Sequence, residues 1–413
     1  MRVAFYAPFK PLDHPLPSGD LIIARGLVDH LREHGHCVSV VSQLRARNIV
    51  CKPWLWPRIP VEIFKAQKLA KAAHADIWMT YHTYYKSPDV IGPLASWMAG
   101  VPYIIFQGMY STKRAKRWKT WFGYQLNRFA LLHAFHVFTN KHRDYENLIR
   151  LLPEDRVTYI RPGIIPDQFR FDEQSRSRLR KQWGVGNCPV IMAAAMFRKD
   201  VKTQGLRYVI ARLGELAQSG YDFQLIIAGD GVTRNELELL AAKHLPGKAH
   251  FLGLIPRNEL SAYYSAADLF VFPGINESLG MVYLEAQASG LPVVAFDNDG
   301  LPEVVINKQT GFLTEPFADH DFRHAIAALL DNRRLRLEMG ENAEHYVRTE
   351  HDLTKNYQRL ETMLAAIDDT MIQTRFNKRD AQLETPSSDC VAQPSHDESQ
   401  YGRRRKALRD DQE

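Results

Sequence analysis

The chain has 413 residues, enough for two domains of ordinary size with separate hydrophobic cores. Apolar residues make up 45% and charged residues 24%, as is typical of globular enzymes, and no apolar run approaches the roughly 20 residues of a membrane-spanning helix. The four cysteines are scattered without CxxC spacing, which argues against a disulfide framework or a structural zinc site. We therefore expect a protein of the reducing cytoplasm.

Short apolar runs alternate with helical patterns from the first residues onward. The first run is too short for a signal peptide and is broken by Pro8, so it predicts a β-strand. The predicted strands are Val3–Ala7, Cys37–Val41, Ile77–Tyr81, Tyr103–Phe106, Phe135–Thr139, Val157–Ile160, Val190–Ala195, Gln224–Ala228, His250–Gly253, Leu269–Phe272 and Pro292–Phe296. Many lack polar alternation, as expected for parallel strands buried on both faces. The pattern predicts doubly wound α/β domains with a ligand crevice at the carboxyl ends of the strands.

A Pro/Gly turn at Arg161-Pro162-Gly163, followed by a charged, poorly periodic stretch to Gly184, predicts an interdomain linker. We predict a first Rossmann-like domain over residues 1–170 and a second over 171–350. A helix from about Leu353 to Ile367 falls in a third segment, 351–370. Residues 371–413 are polar, include a basic cluster at 403–406, and are predicted to be disordered.

Two basic stretches stand out in the first half. Residues 45–71 hold seven basic residues against one acid, and residues 112–128 hold six against none. Both contain tryptophans, Trp54 and Trp56 in the first and Trp118 and Trp121 in the second. Basic residues interleaved with aromatic ones suit an anionic membrane surface or a nucleic-acid backbone, and a solvated basic face with buried tryptophans is the alternative.

The segment PGINESLGMVYLEAQASGLPVVA, residues 273–295, follows a predicted strand. We predict a helix that opens at Ser278 or Leu279 and ends at Gly290. Free amides at a helix N-terminus attract phosphate, and Glu277 precedes that terminus in the loop. Glu285 lies inside the helix, where an isolated carboxylate is costly unless it is hydrogen-bonded to hydroxyls. Two carboxylates beside an anion site suit a sugar on one side and a ribose on the other.

This segment resembles the E-x7-E motif of retaining GT-B glycosyltransferases of the family 4 type, the glycosyl transferases group 1. The resemblance extends over roughly residues 1–369 and implies two Rossmann-like domains facing each other across a donor-binding cleft. It also implies that the helix in 351–370 crosses back to the N-terminal domain. It implies that Glu277 contacts the transferred sugar and that Glu285 binds the nucleotide ribose. Ser278, Leu279 and Gly280 would then lie against the donor phosphate.

Other positions resemble the same family. Arg198 and Lys202 follow a strand and are similar to the pair that grips the donor diphosphate, although the surrounding G-R-L…K-G wording is absent. Gly229 and Gly231 resemble its GxG turn. The loop 298–303, followed by Thr310–Leu313, resembles its glycine-proline-glutamate loop with one glycine fewer.

Two features of the first half fit the resemblance as well. Gly19, after Pro17 and Ser18, is similar to the loop that approaches the donor phosphate, with one glycine where a pair is common. His82 ends a strand and matches the cleft histidine that contacts the sugar.

The resemblance implies transfer of a sugar from a nucleoside-diphosphate sugar to an acceptor hydroxyl with retention, in cell-envelope or surface glycan synthesis. It implies no cofactor and no metal, because cationic side chains replace the ion. We expect a glycan or lipid-linked acceptor, no nucleic-acid partner, and a cytoplasmic protein able to bind the inner face of the cytoplasmic membrane. A nucleotide-sugar epimerase of the same fold and a non-catalytic sugar-nucleotide-binding protein are the alternatives, whereas the missing GxGxxG argues against a nicotinamide dehydrogenase.

One further pattern, His30-Leu31-Arg32-Glu33-His34, spells the H-x-x-E-H of an inverted zinc-protease motif. It falls on the predicted polar side of the first helix, and no third ligand is evident in the sequence. We predict that it binds no metal.

Overall fold

Two six-stranded parallel sheets form the framework of the computed structural model, which describes residues 1–14 and 19–367. The first sheet consists of β1 (Arg2–Tyr6), β2 (Cys37–Ser42), β3 (Ile77–Thr83), β4 (Tyr103–Gly108), β5 (His136–Thr139) and β6 (Val157–Tyr159), in the order β2-β1-β3-β4-β5-β6. The second consists of β7 (Val190–Ala194), β8 (Gln224–Ala228), β9 (Ala249–Gly253), β10 (Leu269–Val271), β11 (Val293–Phe296) and β12 (Gly311–Thr314), in the order β12-β11-β10-β7-β8-β9. The predicted α/β fold is confirmed, and each predicted strand is present within two residues of its expected ends.

Helices lie between the strands. They are α1 (Gly19–Glu33), α2 (Arg58–Ala72), α3 (Gly92–Ala99), α4 (Trp118–His133), α5 (His142–Leu148), α6 (Glu173–Trp183), α7 (Val201–Gln218), α8 (Arg234–His244), α9 (Leu260–Ala266), α10 (Met281–Ala288), α11 (Asp319–Asp331), α12 (Arg333–Glu350) and a last helix at 353–367, here α13. None of the helices in the described ranges has the length and apolarity needed to cross a membrane.

The stretch predicted as a poorly periodic linker contains helix α6, which corrects that prediction. The Asp172 side chain caps its N-terminus by accepting from the Gln174 amide at 3.0 Å, and Gly184 ends it with φ +66°. Leu179 is its buried residue, so its apolar stripe is too thin to show in the sequence. Arg176 and Arg180 hold it to the second sheet through Asp268, at 2.7 and 2.9 Å.

Helix α13 packs on the first sheet. Leu360, Leu364 and Ile367 share a buried cluster with strand residues such as Phe5. The chain reaches this helix beside residue 164, where the Ile164 amide donates to the His351 carbonyl at 3.0 Å. The boundaries at 170 and 350 stay predictions, and the segment 371–413, with its basic cluster, lies outside the described residues.

Candidate functional site

The loop between β10 and α10 carries the two glutamates of the E-x7-E pattern. Helix α10 begins at Met281, and not at Ser278 or Leu279 as the sequence predicted. The reason is Gly280, which caps the helix in the left-handed region with φ +61° and whose carbonyl accepts from the Tyr283 amide at 3.0 Å. A Cβ on Gly280 would lie 2.6 Å from the Val304 side chain, so a larger residue does not fit there.

The loop before α10 is fixed by the backbone. The Glu277 amide donates to the Gly274 carbonyl at 3.0 Å, and the Glu277 carbonyl accepts from the Gly300 amide at 3.1 Å. A Cβ on Gly300 would lie 2.1 Å from the Ser278 carbonyl oxygen, so the 298–303 loop lies directly against this loop. Within the described part of the chain, the amides of residues 278–282 donate to no backbone carbonyl. These amides form a row of free donors at the start of a helix.

Glu277 is paired with Lys202. Lys202 lies in the first turn of α7, where its amide is capped by the Asp200 carboxylate at 2.8 Å. Its ammonium donates to Oε2 of Glu277 and lies 5.5 Å from the centroid of the Phe272 ring. Both side chains are mostly buried, so the loop and the start of α7 are joined by a largely desolvated ion pair.

Arg198 occupies a different position from its predicted partner Lys202. Its side chain is exposed, and its Nε lies 3.3 Å from an Asp200 carboxylate oxygen. Arg198 and Lys202 thus share Asp200, but the structure pairs Lys202 alone with Glu277.

Glu285 is buried inside α10 and has a charged partner that the sequence analysis missed. Nη2 of Arg257 lies 2.9 Å from its Oε1, and the Tyr264 hydroxyl donates to its Oε2 at 3.4 Å. Burial raises the pKa of Glu285, and the charge of Arg257 and the hydroxyl of Tyr264 partly offset that rise. The sequence indicated only that a carboxylate inside a helix needs a counter-charge or a hydrogen-bond partner, and no motif identified Arg257 as that partner.

Gly229 and Gly231 have a packing reason for being glycine. Both have positive φ angles, 143° for Gly229 and 149° for Gly231. A Cβ on Gly229 would lie 1.8 Å from the Ala195 carbonyl oxygen, and a Cβ on Gly231 would lie 2.5 Å from the Phe197 carbonyl oxygen. The Phe197 amide also donates to the Asp230 carbonyl at 2.9 Å. The turn after β8 therefore holds the loop that leads from β7 to Arg198.

His82 lies at the carboxyl end of β3, with φ +59°. Its Nδ1 is 3.0 Å from a carboxylate oxygen of Asp20 in the first turn of α1, and its ring centroid is 4.9 Å from that of Phe9. Burial alone would raise the pKa of Asp20, but the close contact with the His82 ring holds that pKa below its usual value. Gly19 begins α1, whereas Pro17 and Ser18 lie outside the described residues.

The 298–303 loop also contacts the first sheet. The Glu303 carboxylate accepts from the His142 amide at 3.0 Å and from the Tyr159 hydroxyl at 2.9 Å. Arg143 bonds Asp299 at 2.7 Å. These contacts join the predicted donor loop to α5 and β6, a link that no sequence pattern indicated.

A small cavity of about 150 Å³ separates α1 from the start of α10, with Ile22, Arg257 and Met281 in its wall. A larger cavity, of about 850 Å³, is lined by parts of 93–103 and 133–156 and contains none of the predicted site residues. We therefore place the candidate site by its side chains and free amides and not by cavity size.

Comparison with known proteins fits this geometry. Residues 189–346 match the family model described as "Glycosyl transferases group 1". The alpha-D-kanosaminyltransferase of Streptomyces kanamyceticus is 31% identical over 210 residues, which is 50% of this chain and 53% of the relative. The GDP-mannose-dependent alpha-(1-6)-phosphatidylinositol monomannoside mannosyltransferase of Mycolicibacterium smegmatis is 32% identical over 206 residues, 47% of this chain and 52% of the relative. The chain thus spans about half the length of the curated relatives it matches.

A solved structure extends the likeness in fold to most of the chain. Anabaena Alr3699/HepE, crystallised in complex with UDP, superposes with a TM-score of 0.69 at 19% identity, covering 89% of this chain and 100% of that one. The two parallel six-stranded sheets and the matched family region both support a glycosyltransferase of the GT-B type. Residues 189–346 belong to the glycosyl transferases group 1 family, and the chain has the GT-B fold.

Proposed function

We propose that this chain is a retaining glycosyltransferase that moves a sugar from a nucleoside-diphosphate sugar to an acceptor hydroxyl. The observation that carries the proposal is the Lys202–Glu277 pair beside the free amides of residues 278–282. A cation, a carboxylate and a row of unbonded N–H donors at one helix start suit a phosphate with a polyol attached.

The donor phosphates would lie against the start of α10. Amides there and the ammonium of Lys202 would stabilise the negative charge that develops on the leaving phosphate, and Arg198 would add its charge from solvent. Glu285 would accept from the ribose hydroxyls, and the charge of Arg257 would favour its ionised form. The printed names of two similar proteins, one GDP-mannose-dependent and one bound to UDP, support a nucleoside-diphosphate donor.

The transferred sugar would lie between Glu277 and His82. As the bond from the anomeric carbon to the phosphate oxygen breaks, the acceptor oxygen attacks on the same face, through an oxocarbenium-like state. The acceptor proton passes to the departing phosphate, so configuration is retained. His82 is held by Asp20 and would orient a sugar hydroxyl.

No metal enters this scheme. Lys202, Arg198 and the helix amides would supply the positive charge that a divalent ion supplies in other transferases. Among the described residues, no cluster of three metal-ligating side chains includes Glu277, Glu285 or His82.

The acceptor side is proposed to meet an anionic membrane surface with a lipid-linked acceptor. The tryptophans of the two basic stretches are exposed, at 83% for Trp118, 68% for Trp54, 52% for Trp56 and 42% for Trp121, so the alternative of buried tryptophans does not hold for them. Basic residues of 45–71 and 112–128 flank these rings, a combination that suits anionic headgroups. An apolar groove of about 460 Å³ between α2, α3 and α4 lies among them. We propose that the enzyme works on the inner face of the cytoplasmic membrane.

Incubation with labelled UDP- and GDP-sugars, with and without candidate acceptors, tests the activity. A transferase releases nucleoside diphosphate in an acceptor-dependent way and labels the acceptor. An epimerase would change the sugar while it stays on the nucleotide, and a non-catalytic protein would bind the donor without turnover. Either of these two results would overturn the proposal, and Glu277→Ala provides the inactive control.

A further inference from the structure

Three histidines and one glutamate meet where α1 ends and α13 passes it. His30 is 8% exposed and packs its ring against Tyr357 of α13, with centroids 5.1 Å apart. This corrects the sequence-based prediction that His30 lies on the polar side of its helix. Glu361 of α13 faces it, and the ring of His34 stacks on that of His30 at 4.1 Å.

The imidazole nitrogens converge on one carboxylate oxygen. Oε1 of Glu361 lies 3.2 Å from His30 Nε2, 3.7 Å from His36 Nε2 and 3.9 Å from His34 Nδ1. Neither His30 Nε2 nor Glu361 Oε1 makes a hydrogen bond of normal geometry, although both atoms are buried. The two atoms lie against each other without good hydrogen-bond geometry, so an ion bound between them would satisfy both.

We propose that His30, His34 and Glu361 bind a divalent transition metal ion of the zinc type. A tetrahedral ion with nitrogen and oxygen ligands at about 2.0–2.2 Å holds its ligand atoms about 3.3–3.6 Å apart. Glu361 Oε1 lies 3.2 and 3.9 Å from the His30 and His34 nitrogens, and all three ligand atoms lie within 4.8 Å of one another, so small side-chain shifts would bring them to that spacing. Imidazole and carboxylate are ligands that zinc accepts. His34 Nδ1 contacts the His30 carbonyl at 2.8 Å and would exchange that contact for the ion.

The site is structural and not hydrolytic. Glu33, which an inverted zinc-protease motif would use as the base, is exposed and is not among the converging groups. An ion here would fasten α13 to α1, the helix whose first turn carries the Asp20 partner of His82. It would stabilise the half of the molecule built on the first sheet without touching Glu277 or Glu285.

Zinc titration of the full chain, with any affinity tag removed and metal stripped by a chelator, tests this site by calorimetry and by unfolding temperature. We expect uptake of about one ion per chain and a rise in unfolding temperature, since binding to the folded state alone stabilises it. Glu361→Gln and His30→Gln should each weaken zinc binding by at least about tenfold. The double variant His320→Gln/His324→Gln removes another stacked histidine pair, on α11, and should bind zinc like wild type.

Cobalt in place of zinc gives a readout that needs no variant, because tetrahedral Co²⁺ with nitrogen ligands absorbs strongly in the visible. A titration without a saturable visible band would overturn the site. So would equal zinc affinity in wild type and Glu361→Gln, or an equal loss in the His320/His324 control. None of these measurements uses a sugar donor, so they stand apart from the transferase assay.

Discussion

Lys202 donates a hydrogen bond to Glu277, and this pair joins the first turn of α7 to the loop before α10. Each side chain neutralises the other in a mostly buried position. Removing one leaves the partner charge desolvated and unpaired, which costs more than the pair itself contributes. The two residues are therefore expected to act as a unit.

A double-mutant cycle measures this coupling. Lys202→Ala and Glu277→Ala should each lower the free energy of unfolding, and the double variant should lose less than the sum, by about 0.5–3 kcal/mol. Arg207, on the same helix as Lys202, forms an exposed ion pair with Glu236 and serves as the control. The coupling energy of that pair should be at most about 1 kcal/mol. Strict additivity for Lys202 and Glu277 would contradict the pairing.

The stability of the fold should fall in mild acid. His351 is buried, its Nδ1 lies 2.7 Å from the Pro162 carbonyl, and burial lowers its pKa from 6.5 to about 4. As the pH falls from about 6.5 to 4, the unfolded chain takes up a proton that the folded chain does not, so stability is lost across that window, with a slope of up to about 1.4 kcal/mol per pH unit. Urea unfolding of His351→Gln should have a shallower pH slope than wild type. The exposed His320→Gln should keep the wild-type slope.

Sugar transfer should survive a saturating chelator. In the proposed function, Lys202 and the amides of residues 278–282 would supply the charge at the leaving group, so no ion should be needed there. Initial rates before and after chelation, with magnesium or manganese added back, check this. The same chelator should lower the unfolding temperature by removing the ion proposed between α1 and α13. Loss of transfer that magnesium restores would refute the metal-free leaving-group site.

Binding to anionic vesicles should depend on the start of α4. Lys113, Lys116 and Arg117 are exposed beside Trp118, whereas Arg114 lies over the Tyr85 ring at 4.5 Å and is left unchanged. Each basic residue near such a surface contributes about 1 kcal/mol. The triple serine variant should therefore bind anionic vesicles about a hundredfold more weakly.

Sedimentation with vesicles of increasing anionic content and at increasing salt measures that binding. The matched control changes Arg333 and Arg334, two exposed arginines at the start of α12, to serine. That control should sediment like wild type. Equal sedimentation of the triple variant and wild type would exclude this surface as the membrane contact.

The strands were predictable because they are buried on both faces, so apolar residues run without interruption in segments such as Ile77–Thr83. Strand β12 was missed because its middle residues, Phe312 and Leu313, are only half-buried at a sheet edge. Helix α6 was missed because a single buried leucine gives no periodic signal.

The parts of the candidate site that lie in one continuous motif could be predicted from the sequence. The contacts between segments that are distant in sequence could not. The loop carrying Glu277 and the helix carrying Glu285 are contiguous in sequence, so their arrangement followed from strand, loop and helix order. Arg257 reaches Glu285 from another element, and Glu303 reaches Tyr159 across 144 positions. Such pairs depend on tertiary packing and leave no mark in a single sequence. The start of α10 was misplaced because Gly280 adopts a left-handed conformation, which the neighbouring residues in the sequence do not predict.

Substitution of the two glutamates should affect the binding of different ligands. Glu285 is proposed to hold the ribose, which donor and free nucleotide share, and Glu277 the sugar, which free nucleotide lacks. A hydrogen bond to a charged group contributes about 1.5–3 kcal/mol, roughly ten- to a hundredfold in a binding constant. Glu285→Ala should weaken nucleoside diphosphate and sugar donor by similar factors of that size. Glu277→Ala should leave nucleotide binding nearly intact while sharply slowing transfer, because contacts strengthened in the transition state are lost in the rate.

Calorimetry with free nucleoside diphosphate, run beside initial-rate assays, distinguishes the two variants. Glu285→Ala also leaves Arg257 without its partner, so Arg257→Ala separates the loss of the carboxylate from the loss of the pair. If the carboxylate itself holds the ribose, Glu285→Ala should weaken nucleotide binding at least as much as Arg257→Ala does. Glu259→Ala removes an exposed glutamate two positions from Arg257 and should match wild type in both assays. If Glu277→Ala and Glu285→Ala both bind nucleotide and transfer sugar like wild type, the two carboxylates are structural and the assignment of the E-x7-E motif fails.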